Sequence, residues 1–414
     1  MKKRYDLIVV GSGAAGAMSA VTAARRGKRV LLLEKLSGLG AKLKATGGGR
    51  CNLTNTLANE DFMERFGRNG RFMMPALQSF DHHDLIGFFA GIGVESHAPD
   101  GYRVFPVTHN SATIILALEK ELQRLGVETL FLQRVEKLYH NGEKITGVGT
   151  ADHVFSAQNV IIATGGLGYP SLGAEGDGYT LAESVGHRIT ELFPAMMPLR
   201  VKETWVSNCR ADTIPGAVIR IDLPKVKKLR IKGDLIFTEG GIRGPAILDF
   251  AREITPLLEK YGEVPLLISL TGGMNEDEIY RHLKTEMAND PGAVVLKHLC
   301  TLLPESVLRE LCRLCRVDPN EYFGKLQGQQ RACLVGMLAW TPLTVVGHDG
   351  FKKAMITRGG VSLKEINPDT MESRILKGLF FCGEVVDLDG PCGGYNLQWS
   401  FSSGFLAGRL GVGG

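Results

Sequence analysis

The chain has 414 residues, of which 44% are hydrophobic, so it can bury the cores of two or three domains of about 150 residues each. Its 48 basic and 44 acidic residues leave a formal charge of +4, which does not by itself indicate a nucleic-acid or membrane partner. Eight cysteines in a long chain without a secretory leader argue against a disulfide framework. They predict free thiols in a reducing, cytoplasmic compartment.

The first predicted elements form a βαβ unit that is typical of nucleotide binding. Residues 5–10 are apolar and β-branched, as a buried parallel strand should be, and residues 14–26 are alanine-rich and free of proline, as a helix should be. Between them, residues 11–16 read G-S-G-A-A-G, the spacing of a dinucleotide fingerprint. A second strand, residues 29–33, ends in Glu34, which lies about twenty residues after the first glycine and suits a carboxylate that binds a ribose.

Each glycine of this fingerprint has a predicted role. Gly11 permits the tight turn, Gly13 lets the backbone approach a pyrophosphate, and Gly16 lets the helix pack closely on the strand. The first N–H groups of the helix would then face the phosphates. The uncharged stretch 7–24 superficially resembles a signal peptide or a membrane span, but it consists mostly of Gly, Ala and Ser, so we interpret it as part of a soluble domain.

A glycine-rich loop follows the second strand at residues 38–55. Three consecutive glycines at 47–49 disfavour a regular element and would expose backbone N–H groups. Arg50, Cys51 and Asn52 come directly after them and are well placed to meet a polar ligand.

The next elements alternate between helices and strands. The patterns predict helices over 83–91 and 111–125, a strand pair of 127–132 and 144–150 that flanks a turn at Asn141-Gly142, and a buried strand over 159–163 that is closed by residues 164–166.

The composition of the sequence changes between Ala195 and Leu343, where charged strands, prolines and a helical tract over 275–316 indicate a separate domain. The last part resembles the N-terminal part in its pattern, with a strand over 378–382 and a glycine-led helix over 397–410. We therefore predict an α/β fold with a discontinuous, doubly wound, mainly parallel Rossmann-like domain formed by residues 1–194 and 344–414. Residues 195–343 are predicted to be an inserted β-rich and helical substrate domain.

Three further clusters receive structural interpretations. The basic run Lys225, Lys227, Lys228, Arg230 and Lys232 alternates with apolar residues and is interpreted as the solvated face of a strand. Cys312 and Cys315 have a C-x-x-C spacing but lie in the helical pattern 305–316, so two core-facing thiols are expected. His82-His83 lacks a zinc-ligand spacing, and no metal is assigned.

Three strand ends together favour a flavin over a nicotinamide as the resident cofactor. They are the fingerprint, Ala163-Thr164-Gly165-Gly166, and Gly383-Glu384 followed by a glycine-led helix. A bound FAD needs its adenosine at the first βα turn, its ribityl chain at another strand end, and helix-terminal N–H groups near the flavin. Residues 394–397 are expected to supply these donors.

These motifs resemble the BaiN-like flavoproteins, which include enzymes described as aminoacetone oxidases and as NAD(P)H-linked bile-acid ene reductases. The resemblance covers essentially the whole chain, and its most specific parts are residues 46–55, 237–246, 359–361, and 382–398. It implies FAD that is bound tightly but not covalently. Ala45 and Thr46 stand where a serine is expected before the glycines, and Arg243 stands where a small polar residue is common.

The resemblance also implies a set of FAD contacts: Ser12, Gly13, Ala14, Ala15, Glu34, Lys35, Lys42, Arg50, Val135, Thr164, Gly165, Glu384, Asp387, Asn396 and Leu397. The motifs themselves add Gly11, Cys51, Asn52, Ala163, Gly166 and Gly383 to the expected cofactor site.

We therefore expect an FAD-dependent oxidoreductase that transfers a hydride through flavin N5 to or from a small-molecule substrate. No second G-x-G-x-x-G follows a strand, so NAD(P)H would dock transiently, or the substrate itself would reduce the flavin and oxygen would reoxidise it. The NAD(P)H-linked reductase is the leading hypothesis, and an aminoacetone-type amine oxidase is the alternative.

A third hypothesis is a flavoprotein whose inserted domain binds RNA or a protein. Its support is the basic run 225–232, which lacks interleaved aromatic residues, so neither a nucleic-acid nor a membrane partner is expected. No catalytic acid or base is assigned. Cys51 and Cys392 fit small buried thiols as well as a thiol relay, and Tyr395 fits a packing aromatic as well as a proton donor.

Overall fold

A computed structural model describes residues 4–224, 226 and 228–411. The chain divides into two compact units, which we call unit 1 (residues 1–194 with 354–414) and unit 2 (residues 195–353). The second crossing between the units therefore follows Lys353, not Leu343 as predicted. The predicted boundary is ten residues early because residues 341–348 continue as a strand of unit 2.

The strands of the described residues are β1 (Arg4–Val10), β2 (Val30–Leu33), β3 (Thr54–Asn55), β4 (Ser96–His97), β5 (Arg103–Pro106), β6 (Glu128–Leu130), β7 (Lys137–His140), β8 (Ile145–Gly149), β9 (Val154–Ile162), β10 (Phe193–Ala195), β11 (Leu199–Val201), β12 (Thr213–Ile221), β13 (Arg230–Thr238), β14 (Gly241–Arg243), β15 (Val264–Ser269), β16 (Thr341–His348), β17 (Ile356–Arg358) and β18 (Leu379–Phe381).

The helices of the described residues are α1 (Ala14–Arg25), α2 (Ala41–Ala45), α3 (Asn59–Glu64), α4 (Met74–Ser79), α5 (His82–Gly91), α6 (Ser111–Arg124), α7 (Asp177–Glu183), α8 (Pro245–Tyr261), α9 (Glu276–Asn289), α10 (Val295–Leu299), α11 (Glu305–Leu314), α12 (Gly328–Ala339) and α13 (Tyr395–Gly408).

Unit 1 is built on a mainly parallel sheet with the strand order β6-β2-β1-β9-β8-β7, and β18 also pairs with β9. Strands β6, β2, β1, β9 and β18 run parallel to their neighbours, whereas β8 is antiparallel to β9. In register, Val10 pairs with Leu33 and Ile162, and Ile162 also pairs with Phe381. The segments that follow these strands therefore leave the sheet at one edge, as the doubly wound fold requires.

One strand pairing differs from the prediction. Strand β6 pairs with β2 in the parallel sheet, and the hairpin partner of β8 is β7. The reason is the position of the turn: Asn141 accepts hydrogen bonds from Glu143 and Lys144 through its side chain, so the turn directly joins residues 137–140 to 145–149.

Helices α1 and α13 pack against each other in unit 1 through small residues. A Cβ at Gly404 of α13 would lie 2.4 Å from the carbonyl oxygen of Ala15, and one at Gly408 would lie 2.5 Å from that of Ser19. The two helices can approach this closely only because glycines occupy the contact. The last helix of the chain is thereby fixed against the first.

Unit 2 contains a closed barrel of six strands in the order β11-β14-β13-β12-β15-β16, together with helices α8 to α12. The basic run does not form the face of one strand. Val226 and Lys228 lie in the turn between β12 and β13, Arg230 and Lys232 lie on β13, and Lys225 and Lys227 lie outside the described residues. Strand β12 ends at Ile221, and Pro224 lies within the turn in which Val226 N–H donates to the Leu223 carbonyl.

The predicted helical tract over 275–316 is three helices, α9, α10 and α11, which are interrupted near Pro291 and Pro304. Cys312 is a buried free thiol, but Cys315 forms a disulfide with Cys333 of α12. The prediction of free thiols throughout is therefore wrong for these two residues. The disulfide joins the residue directly after α11 to α12, and these two elements meet only in the folded unit, so the spacing in the sequence did not reveal it.

Among the described residues, no helix is long and apolar enough to cross a membrane. The same part of the chain brings no three His, Cys, Asp or Glu side chains together as a candidate metal site.

The contact between α1 and α13 predicts a difference between two glycine-to-alanine substitutions. Gly404→Ala should lower the stability of unit 1 by about 1–3 kcal/mol because its methyl group collides with the backbone of α1. Gly87→Ala is the matched control, since Gly87 is inside α5 and a Cβ there would meet nothing within 4 Å, so it should be neutral or stabilising. Thermal unfolding of both variants measures the difference, and equal midpoints would contradict the packing.

Candidate functional site

The site predicted from the sequence lies at the carboxyl edge of the sheet in unit 1. The turn after β1, Glu34 after β2, residues 163–166 after β9 and residues 382–384 after β18 all leave the sheet at this edge. This is the position at which open α/β sheets bind ligands.

The fingerprint turn divides its three glycines between two tasks. Gly11 has a φ of +96°, and a Cβ there would lie 2.7 Å from the Ala163 carbonyl oxygen; one at Gly16 would lie 1.9 Å from that of Gly11. These two glycines let β1, α1 and the end of β9 meet. Gly13 differs, because its φ is −69° and a Cβ there would meet nothing within 4 Å. The space above Gly13 is therefore open.

This open space borders the N-terminus of α1. Gly13 is the N-cap residue, and no side chain caps the helix. The first N–H groups of α1, from Ala14 and Ala15, are therefore available to an external acceptor. The arrangement fits an anionic group such as the pyrophosphate of FAD.

Glu34 lies beside this turn and is almost fully buried. Its Oε2 accepts hydrogen bonds from the N–H and hydroxyl of Ser12 at 2.8 and 2.7 Å, and its Oε1 accepts one from Leu36 N–H at 2.9 Å. These bonds fix the carboxylate at the end of β2, and Oε1, which accepts only one of them, keeps further acceptor capacity. A ribose hydroxyl can donate to it in this position.

Lys35 belongs to an ion-pair network, which the sequence did not indicate. Its Nζ lies 2.9 Å from Oε2 of Glu175 and also pairs with Asp177, and Arg134 pairs with the same two carboxylates. The network ties the segment after β2 to the start of α7 and to the segment before β7. The neighbouring Val135 is buried.

The end of β9 carries an unsatisfied polar atom. Oγ1 of Thr164 is buried and has no hydrogen-bond partner among the described residues. Gly165 has a φ of +72°, and a Cβ there would meet nothing within 4 Å. A buried hydroxyl without a partner costs free energy, so a polar ligand group at this point would stabilise the site.

Lys42 and Glu384 are 342 residues apart in sequence and form a salt bridge of 2.6 Å. The second carboxylate oxygen of Glu384 accepts from Thr357 N–H at 2.9 Å. Gly383, directly before it, donates its N–H to Ser403 of α13 at 2.9 Å. Thr357 and Ser403 were not predicted, because no motif marks a single hydroxyl residue whose role depends on a distant partner.

The glycine-rich loop is anchored to the start of α13. With its amide oriented to satisfy both ends, Asn52 donates to the Thr54 carbonyl at 3.0 Å and accepts from Gly394 N–H at 3.0 Å. A Cβ at Gly394 would lie 2.4 Å from the carbonyl carbon of Thr54, so the two segments touch. Arg50 is exposed, with its guanidinium 5.3 Å from the centre of the Phe105 ring.

The start of α13 is preorganised by its own side chains. Asn396 accepts from Gly390 N–H and donates to the Gly390 carbonyl, both at 2.8 Å, and thus closes the loop before the helix. Tyr395 is buried, and its hydroxyl is hydrogen-bonded to that of Tyr102. The N-cap residue of α13 is Gly394, which has no side chain to cap the helix, so the positive end of the helix dipole lies at this point.

Two titratable groups in this region have shifted pKa values. Burial raises the pKa of the Cys51 thiol to about 12, so the thiol is neutral at ordinary pH, which argues against a thiolate relay. Burial also raises the pKa of Asp387 to about 6, although a hydrogen bond from Thr190 opposes the shift.

The chain is similar to several known proteins. A family model described as HI0933-like protein Rossmann domain matches residues 5–410. The 3-dehydro-bile acid delta(4,6)-reductase of Clostridium scindens is 32% identical over 408 residues, which cover 97% of each chain. Two ribosomal RNA dihydrouridine synthases are also similar: that of Haemophilus influenzae is 28% identical and covers 98% of each chain, and that of Escherichia coli is 27% identical and covers 97% of this chain and 96% of its own.

Among solved structures, 3-ketosteroid delta1-dehydrogenase from Sterolibacterium denitrificans matches 98% of this chain and 99% of its own, with a TM-score of 0.54 and 12% identity. This likeness concerns the fold alone. Together the findings confirm the family resemblance, the Rossmann-like fold, the FAD cofactor and the oxidoreductase class that the sequence predicts.

The geometry of the fingerprint predicts that two glycine substitutions fail in different ways. Gly13→Val should fold, because the backbone conformation suits any residue and the space is open, but it should purify without yellow FAD. Gly16→Ala should lower stability itself, because its methyl group meets the Gly11 carbonyl. Flavin absorbance and circular dichroism of both variants test this, and a yellow Gly13→Val protein would refute the assignment.

The raised pKa of Asp387 predicts a pH-dependent effect of Asp387→Asn on the stability of FAD-free protein. At about pH 3 and below, the carboxyl is largely protonated in both the folded and the unfolded state, so variant and wild type should unfold at similar temperatures. Above pH 6 the folded wild type contains a buried charge, so the variant should be the more stable protein.

Thermal unfolding from about pH 3 to pH 8 measures this difference. The exposed Asp152→Asn substitution is the control and should show a constant difference from wild type. A pH-independent effect of Asp387→Asn would show that burial does not govern this group.

Proposed function

Since the chain belongs to the HI0933-like protein Rossmann domain family, we propose that it is an NAD(P)H-linked, FAD-dependent reductase of a carbon–carbon double bond conjugated to a carbonyl group. The observation that carries this proposal is the 32% identity, over 97% of both chains, to a reductase of 3-dehydro-bile acids. A small organic molecule with such a double bond is the proposed substrate.

The names of the relatives share one type of chemistry. A delta(4,6)-reductase of a 3-dehydro-bile acid acts on double bonds conjugated to a ketone. Dihydrouridine differs from uridine by two hydrogens across the double bond that is conjugated to the C4 carbonyl. Both reactions place a hydride on one carbon and a proton on the other.

The residues at the carboxyl edge of the sheet are proposed to hold FAD, which, when bound, supplies the two-electron hydride chemistry. The first N–H groups of α1, beside Gly13, would bind the pyrophosphate, and the carboxylate of Glu34 would accept from the ribose. The partnerless hydroxyl of Thr164 and the charged pair of Lys42 and Glu384 offer polar groups along the same edge.

The start of α13 has a different proposed task. The N-terminal end of α13, at Leu397, is the positive end of the helix dipole and would stabilise negative charge on the reduced cofactor. The hydrogen bonds of Asn396 with Gly390 hold this end in place without a ligand, so no free energy is needed to order it. Unit 1 thus has the proposed cofactor site, and we assign substrate recognition to unit 2.

The proposed role of NAD(P)H rests on the count of nucleotide motifs. The fingerprint at residues 11–16 is the one G-x-G-x-x-G of the sequence that follows a strand, and FAD takes it. NAD(P)H would therefore bind transiently, deliver its hydride and leave before the substrate binds.

A second candidate function is the reduction of uridine in RNA. It is favoured by the two dihydrouridine synthases, whose similarity extends over at least 96% of each chain. Lys228, Arg230 and Lys232 are exposed in unit 2 and could contact phosphates.

The functions are distinguished by following the flavin spectrum without oxygen. NADH or NADPH should bleach the flavin of the purified protein, and a 3-oxo-4,6-diene bile acid should then restore the colour faster than buffer alone. The Gly13→Val variant, which should lack flavin, is the control for reactions outside the site. Restoration by unmodified ribosomal RNA alone would establish the second candidate.

Bleaching by aminoacetone without NAD(P)H, with peroxide formed on admitting air, would overturn the reductase in favour of an amine oxidase. A flavin that no donor bleaches would overturn the proposed enzyme activity as a whole.

A further inference from the structure

Unit 1 contains a pocket far along the helices from the fingerprint turn. It is a partly open groove of about 410 Å³ and lies between the C-terminal halves of α1 and α13 and the segment where α4 ends and α5 begins. This volume is in the range of small-molecule sites, about 300–1,000 Å³. We call it the arginine-rimmed pocket, after Arg25, Arg26 and Arg409.

The floor of the pocket is apolar and aromatic. Phe80 and Phe405 are stacked with ring centres 4.6 Å apart, and Phe88 meets Phe80 edge-on at 6.2 Å. Met18 and Val21 of α1, which complete the floor, are almost fully buried. A flat or alicyclic apolar body would gain contact area and aromatic packing on this floor.

Two of the three guanidinium groups at the rim are not used in the fold. The side chain of Arg25 already has partners, because it forms a salt bridge of 2.7 Å with Glu121 and lies over the Phe88 ring. The side chains of Arg26 and Arg409, in contrast, have no hydrogen bond or ion pair within residues 4–224, 226 and 228–411. The lining has one acidic residue, Asp84, which already accepts from Asp81 N–H in the cap of α5.

Both free arginines directly follow helices, Arg26 after α1 and Arg409 after α13. The carbonyl groups at the ends of the two helices would by themselves repel an anion. Binding of an anion here must therefore depend on the two guanidinium groups, which match a carboxylate or sulfonate in geometry and charge.

We propose that the arginine-rimmed pocket is a second ligand site of this protein and that it binds small amphiphilic anions, an apolar ring system with one carboxylate or sulfonate. The ring packs on Phe80 and Phe405, and the acid group pairs with Arg26 and Arg409. The site is separate from the proposed cofactor site and does not depend on the proposed reaction.

The test uses 2-naphthoate as the probe and isothermal titration of the purified, FAD-containing protein. We expect saturable binding of one molecule per chain with a Kd on the order of 100 µM, weakened as salt is raised. The neutral analogue 2-naphthylmethanol should bind at least ten times more weakly.

Two variants locate the site. Arg26→Glu/Arg409→Glu should weaken 2-naphthoate binding at least tenfold, whereas Arg71→Glu/Arg188→Glu, which makes the same charge change at exposed arginines elsewhere in unit 1, should alter it less than twofold. Ser79→Trp should also weaken binding, because Ser79 lines the pocket and a large side chain there would fill it. Unchanged flavin absorbance verifies that the variants are folded.

The proposal is overturned if 2-naphthoate does not saturate, if the neutral analogue binds equally well, or if both double variants bind like wild type. Size-exclusion chromatography tests the remaining alternative, in which a second copy of the chain occupies the pocket. If Arg26→Glu/Arg409→Glu changes the oligomeric state and the wild type binds no probe, the face is an interface between copies of the chain and not a ligand site.

Discussion

The cofactor edge of unit 1 depends on the distance at which helix α1 approaches the two strands beside it. A Cβ at Gly16 would lie 1.9 Å from the Gly11 carbonyl oxygen, and one at Gly11 would lie 2.7 Å from that of Ala163. These contacts are possible only without side chains. They fix the height of the helix N-terminus above the sheet, and with it the open space at Gly13 and the position of Thr164.

The same close packing explains how the ends of the chain form one site. Gly404 of α13 rests on the backbone of Ala15, and a Cβ at Gly383 would lie 2.8 Å from the Cβ of Ala15. The strand end at residues 383–384 therefore has a fixed position relative to the fingerprint turn. Unit 2 can be inserted between the two segments because its residues leave unit 1 after Pro194 and return at Ala354, outside these contacts.

Charge at this edge is largely balanced within the protein. The pair of Lys42 and Glu384, and the network of Lys35 and Arg134 with two carboxylates, leave these cations and anions partnered while they are partly buried. Asp387 differs, because burial dominates its environment and raises its pKa to about 6. The hydroxyl of Thr164, which is buried without a hydrogen-bond partner among the described residues, lies where a ligand is expected.

The sequence by itself determined the elements whose information is local. The spacing of Gly11, Gly13 and Gly16 and the apolar run before them specify a strand, a turn and a helix, since each depends on residues only a few positions apart. The family motifs likewise indicated FAD and the oxidoreductase class. Motifs of this kind can be recognised in a sequence because few residue types are tolerated where the backbone approaches a phosphate.

Only the tertiary structure decided which distant residues meet. The salt bridge of Lys42 with Glu384, the bond from Gly383 to Ser403 and the disulfide of Cys315 with Cys333 each depend on how whole elements pack. The end of unit 2 was mispredicted for the same reason, because the pairing of β16 is set by its neighbours in the barrel. The pattern of apolar residues in the sequence indicates which face of a helix or strand is buried. The free energy of packing in the folded protein determines which other element that face contacts.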